Sequence, residues 1–197
     1  MITFNRWARW LHIYSAAPVL LLMLFFAGTG LLLNHSNWAA GEIKNTDQRL
    51  TLPNSLTTLD WRLDPGITAL SMFHWLDQAH QIRGVDFSFE WEEEEQLLLL
   101  YLDGPQGNYA IEAYYEEGIA EVYKTQLPFI TMLNNLHRNK HVSGLWRWLS
   151  DIAAVCMALF CLSGFWLLVV NTLQRQHSLS WVGIGSVITI LAMYLMH

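Results

Sequence analysis

The chain has 197 residues, 53% of them hydrophobic and 13% aromatic, with a formal net charge of −6. That composition would also suit a well-packed soluble enzyme, so it excludes little alone, although the acidic balance makes nucleic acid an unexpected partner. Distribution decides the class: sixteen of the seventeen Asp and Glu residues lie between Leu33 and Val142, and the last, Asp151, borders an apolar run.

The first apolar stretch, Ala16 to Leu33, spans about 27 Å as a helix, close to a hydrocarbon core of about 30 Å. Arg6 and Arg9 precede it as they would in a signal peptide. The run exceeds the usual h-region of about 7–15 residues and ends in Leu-Leu-Leu-Asn-His without an Ala-x-Ala site, so a retained membrane helix is expected.

The acidic segment that follows reads as a compact α+β domain. Thr68 to Ile82 places Leu70, Phe73, Leu76 and Ala79 at helical recurrence, with a turn and start signal in Asp64-Pro65-Gly66. Strands are expected at Val85–Trp91, Gln96–Leu102, Tyr109–Tyr114 and Ile119–Tyr123. Asp103-Gly104-Pro105, Gln106-Gly107-Asn108 and Glu116-Glu117-Gly118 act as hairpin breaks. A helix followed by an antiparallel meander results, with a last helix over Gln126–Lys140 leading back to the membrane. Glu92 to Glu95 reads as a solvated hairpin tip, with cation collection as the alternative.

Two further apolar stretches, Ile152–Val170 and Leu179–Met196, complete three spans. The expected division is 1–36 for the N-terminal segment and first span, 37–140 for the inserted domain, and 141–197 for the second and third spans. Trp7, Trp10, Trp38, Trp146, Trp148 and Trp181 cluster near span ends as an interfacial belt. Positive charge nearly ties between the two sides. Arg6 and Arg9 flank the first helix and take precedence, which places the N-terminus in the cytoplasm and the domain and His197 outside, in a bacterial periplasm. Cys156 and Cys161 lie about 140° apart around one helix, so they read as apolar fillers and not as a disulfide.

The histidines carry the chemistry. His12 and His35 bracket the first span 23 residues apart, about 35 Å along a helix, so they lie at opposite faces. His137 and His141 would share one side of a continuous helix, and with His35 and His197 they form an outer layer; His12 and His177 form an inner one. Imidazoles facing one another across helices near a membrane boundary would suit axial ligation of haem iron, and Gly28, Gly30 and Gly164 would admit a flat macrocycle or a close helix neighbour. Asp151 stands about three turns into a helix that starts near His141, where a carboxylate is costly; pairing with Arg147 at i−4 or a proton, quinol or metal-steering role would account for it. His74 and His80 on the domain helix read as core or surface residues. No Cys-x-x-Cys-His, His-Glu-x-x-His, P-loop or Gly-x-Ser-x-Gly is present, which leaves zinc hydrolysis unsupported.

Arg9-Trp10-Leu11-His12-x-Tyr14, Gly28-Thr29-Gly30-Leu31-Leu32-Leu33-Asn34-His35-x-x-Trp38, Leu136-His137, Gly144-x-Trp146-x-Trp148-x-x-Asp151 and Leu162-Ser163-Gly164-Phe165-Trp166 resemble the PepSY-associated transmembrane proteins. The resemblance covers the first two spans and, more loosely, the domain, whose order is similar to a PepSY module. It implies an inner-membrane haem b ferric reductase, with His35 and His137 as axial ligands and His12 and His141 as further cofactor-binding candidates. Asp151 would be the catalytic carboxylate, a membrane quinol the electron donor, ferric iron or a ferric complex the substrate, and a separate ferrous importer the consumer. Three spans stand where larger members have four, so a complete pocket would require a homodimer. The alternative is a non-catalytic membrane partner whose domain binds another protein; a transporter component would need polar residues lining the spans.

Overall fold

The computed structural model describes residues 2–35, 38 and 41–196, with side chains from residue 5 onward. The elements run α1 (Ile2–Asn34), β1 (Lys44–Thr51), α2 (Asn54–Thr57), α3 (Pro65–His80), β2 (Asp86–Glu92), β3 (Leu97–Gly104), β4 (Gly107–Tyr114), β5 (Ile119–Gln126), α4 (Phe129–His137), α5 (Gly144–Val170) and α6 (Arg175–Leu195). They divide into two compact units, residues 26–147 and residues 1–25 with 148–197.

The first unit holds a five-stranded antiparallel sheet in the order β1-β5-β4-β3-β2. One face is apolar at alternate positions because side chains alternate across a strand: Leu98, Leu100 and Leu102 on β3, Ile111 and Ala113 on β4, Ala120 and Val122 on β5. Ala69, Met72 and Leu76 of α3, with Leu52, Leu56, Trp61 and Ile82, join them in one buried cluster. Trp61 is fully buried, and its indole N–H donates to the Leu56 carbonyl at 2.9 Å. Asp64 caps α3 by accepting from the Ile67 amide at 3.0 Å, and Pro65 opens the helix, where its missing N–H costs nothing. Gln81 ends it in the left-handed region at φ 55°.

The helix, the four meander strands and the exposed Glu93–Glu95 tip stand within a few residues of their expected places. Two elements add to the expectation: the short α2, and β1, which pairs with β5 from Lys44↔Gln126 to Thr51↔Ile119. The β3–β4 hairpin turns at Pro105-Gln106 between Gly104 and Gly107. Gly107 has φ 149°, and a Cβ there would run into the Thr125 backbone oxygen, so the hairpin requires glycine.

The other face of the sheet mixes apolar residues such as Leu97, Leu99 and Ile119 with charged ones. Glu112 and Glu121 are directly opposed across β4 and β5, a repulsive placement. The Tyr123 hydroxyl donates to Glu121 at 2.7 Å, Arg49 binds Glu121 at 2.8 Å, and the Tyr114 hydroxyl donates to Glu112 at 3.0 Å. The hydrogen bond from Tyr123, then Arg49, holds Glu121 below its ordinary 4.5, while the carboxylate pushes the Tyr123 phenol from 10.0 up to about 12. Glu121's contribution is present above its ordinary value and fades as pH falls; Tyr123's is present below pH 10 and is lost as pH climbs through about 12. A spectrophotometric titration should therefore show one late tyrosinate step near pH 12 that Tyr123→Phe removes. Persistence of that step in the variant would assign it to another tyrosine.

The second unit is helical. Among the described residues, three helices are long and apolar enough to cross a membrane: Asn5–Asn34, Gly144–Val170 and Arg175–Leu195. Their exposed faces carry large apolar residues such as Leu21, Leu162 and Ile190, as a lipid environment demands. Pro18 sits inside α1, which membrane helices tolerate.

Candidate functional site

The short helix α4 follows Pro128, which starts it, and buries Asn134 and Asn135. His137 is its last residue. The helix stops there because Asn139 and His141 both adopt left-handed backbone, at φ 53° and 52°. The expected continuous helix is thus interrupted, and His137 and His141 do not share a face. His141 instead binds Asp86 on β2 through Nδ1 at 2.7 Å, with the Arg147 guanidinium 3.8 Å from the same carboxylate.

His137 turns toward α1. Its Nδ1 hydrogen-bonds Thr29 Oγ1 at 2.7 Å, its ring meets Phe26 edge-on at 5.2 Å, and a Cβ on Gly30 would touch its Cε1 at 3.5 Å. The Thr29 hydroxyl donates to the Phe26 carbonyl, as threonine in a helix commonly does, which leaves its oxygen to accept from the imidazole Nδ1–H. Nε2, the lone-pair nitrogen of that tautomer, makes no hydrogen bond among the described residues.

His12, in the other unit, is held the same way. Its Nδ1 lies 3.0 Å from the Phe160 carbonyl and 3.2 Å from Ser163 Oγ on α5, and the ring stacks on Phe160 at 4.2 Å and 17°. A carbonyl only accepts, so Nδ1 carries the proton and Nε2 is again the basic nitrogen. A Cβ at Gly164 would stand 2.9 Å from His12 Cε1, so the bare glycine gives the ring its place.

An imidazole anchored through Nδ1–H with Nε2 uncommitted is the arrangement that metal- and haem-ligating histidines use, because it fixes tautomer and orientation and raises basicity. Among the described residues no three or more His, Cys, Asp or Glu side chains group into a metal cluster.

His35 is oriented differently. It follows Asn34, the last residue of α1, in the turn that ends the helix. Its exposed ring stacks on Trp38 at 4.2 Å. His35 and His137, the expected axial pair, make no ring contact with each other among the described residues. Asp151 sits two turns into α5, not three, because α5 begins at Gly144. It is exposed and makes no ion pair among the described residues; its expected partner Arg147 lies near Asp86. His177 belongs to the first turn of α6 beside Trp181, not to a loop, and His74 and His80 lie on α3. His197, expected in the outer layer, lies outside the described residues.

Sequence reasoning missed Thr29, Ser163 and Asp86 as partners of the three histidines. The first two carried a signal, since each is an isolated hydroxyl in an apolar run next to glycine. Asp86 carried none.

The family model of the PepSY_TM-like proteins (PepSY_TM_like_2) matches residues 5–197. No curated protein and no solved structure matches the chain. The match runs through the first apolar helix, the inserted sheet and the last two helices, and the chain belongs to the PepSY_TM-like family.

Proposed function

We propose that the protein is a haem b-dependent ferric reductase of the bacterial cytoplasmic membrane. The observation that carries this reading is the anchoring of His137, with its Nδ1 tied to Thr29 and its Nε2 uncommitted. Bound haem would carry single electrons from a membrane quinol to ferric iron, one quinol reducing two ferric ions and releasing two protons. The chain's own part is to orient. Thr29 and Phe26 fix the His137 ring, Gly30 keeps the helix surface beside it low, and Phe160, Ser163 and Gly164 do the same for His12. Asp151, exposed on α5, is the catalytic carboxylate of this reading. In this reading His137 and His12 would hold the haem iron, and a second copy of the chain would complete the pocket. The arginines before the first span put the N-terminus in the cytoplasm and the domain, residues 37–140, in the periplasm, where ferrous product would pass to a separate importer.

The test is an absorption spectrum of detergent-purified protein, oxidised and dithionite-reduced. Wild type should show a Soret band that shifts on reduction. His137→Ala and His12→Ala should each lose haem, and His35→Ala should retain it. Loss of haem in His35→Ala with none in His137→Ala would reverse the ligand assignment. Wild type purified from haem-replete cells with no Soret band would sink the reductase reading and favour a non-catalytic binding partner.

A further inference from the structure

The inserted domain is rich in acidic residues, and one cleft has none in its lining. It measures about 330 Å³, and its lining includes Arg83, Lys124 and Tyr109 and not one Asp or Glu. Three segments build it: the chain leaving α3 at Arg83 and Gly84, the β3–β4 turn, and the ends of β4 and β5. The backbones approach closely, since a Cβ at Gly84 would lie 2.8 Å from Leu102.

Both cations keep capacity for a ligand. Lys124 Nζ lies 5.6 Å over the Tyr109 ring and, among the described residues, pairs with no carboxylate. Arg83 gives Nε to Asp77, and its terminal amino groups make no hydrogen bond among the described residues. The turn that walls the cleft is also tied to the candidate site. Asn135 Nδ2 donates to the Pro105 carbonyl at 3.1 Å, and Asn135 stands two residues before His137 on α4.

We propose that this cleft binds the substrate as an anionic ferric chelate, its outward carboxylates engaging Lys124 and Arg83. The identity of the metal rests on the reductase reading; the anion site rests on the cleft alone. A bare trivalent cation would be repelled from these two side chains and drawn to the carboxylates elsewhere on the domain, whereas a chelate with excess negative charge meets the reverse field. Carboxylates also match the donors present, since charge-assisted bonds to Lys and Arg are the stronger class. Binding at the β3–β4 turn would bring the iron to the part of the domain joined to the helix of His137.

Gallium citrate is the probe, because Ga3+ takes the place of ferric iron and is not reduced. Titrated calorimetrically into the full-length protein in nanodiscs, it should bind wild type. Lys124→Gln and Arg83→Gln should each weaken binding by about tenfold, Lys124→Arg should restore it to within a few fold, and added salt should weaken it. Near-UV circular dichroism identical to wild type establishes that the variants fold. Wild type that does not bind, a double variant that binds as wild type does, or a cationic gallium hydroxamate that binds as tightly would each overturn the proposal. The two readings separate cleanly: a protein that binds gallium citrate but carries no haem removes the reductase alone. A double variant that reduces ferric citrate with unchanged KM and kcat removes the cleft alone.

Discussion

Thr29→Val should lower haem affinity by about 10–100-fold, the usual cost of losing the partner that orients a ligating histidine. Valine keeps the shape of threonine and removes only the oxygen that His137 Nδ1 binds at 2.7 Å. Freed of that bond, the ring can rotate and exchange tautomers, so Nε2 no longer waits in one direction. Haem titration of stripped protein measures the first effect. Nitrogen NMR of the haem-free protein measures the second, with the Nδ1-protonated imidazole expected in wild type and a tautomer mixture in the variant. Unchanged affinity together with an unchanged tautomer would mean that Thr29 does not orient His137.

Trp61→Ala should cost the inserted domain about 3–5 kcal/mol, the range for emptying a core of its largest side chain. Trp61 has no exposed surface, packs against Trp91 and Tyr115, and satisfies the Leu56 carbonyl through its indole N–H. Alanine leaves a cavity and takes away one of the two hydrogen bonds that the Leu56 carbonyl accepts, the other coming from the Leu59 amide. Hydrogen exchange at β3 and β4 amides is the appropriate measure, since their protection reports opening of the sheet while the membrane helices stay closed. A loss under about 1 kcal/mol would show that the core collapses around the gap.

The comparison of sequence with structure turns on periodicity. The three spans and the Leu97–Leu102 strand announce themselves through length and apolar density, and both survive as expected. β1 was invisible because Lys-Asn-Thr-Asp-Gln-Arg-Leu-Thr is an edge strand with one apolar residue directed inward, and an edge needs no second. At the candidate site, the position of each histidine along or beside an apolar run is legible in the sequence. His35 and His137 fall near one level in the sequence pattern, but that pattern does not encode that His35 stands past the end of α1 and stacks on Trp38. The break after His137 had a weak signal in Asn139, a residue that tolerates left-handed backbone, but His141 in that conformation had none. The clamp of Asp86 on His141 joins residues from β2 and the loop after α4, and no local pattern in the sequence encodes it.

The remote pairing of β1 carries a consequence for biosynthesis. Lys44 finds its partner only in Gln126, so the edge that β1 closes must stay open while the ribosome makes everything between them. At about 5–20 residues per second that interval is on the order of ten seconds. During it the first span can already be in the bilayer, with a polar strand beside it that has no apolar face to stick with. The polarity that hid β1 from pattern-based detection is what lets the segment wait in solution without aggregating.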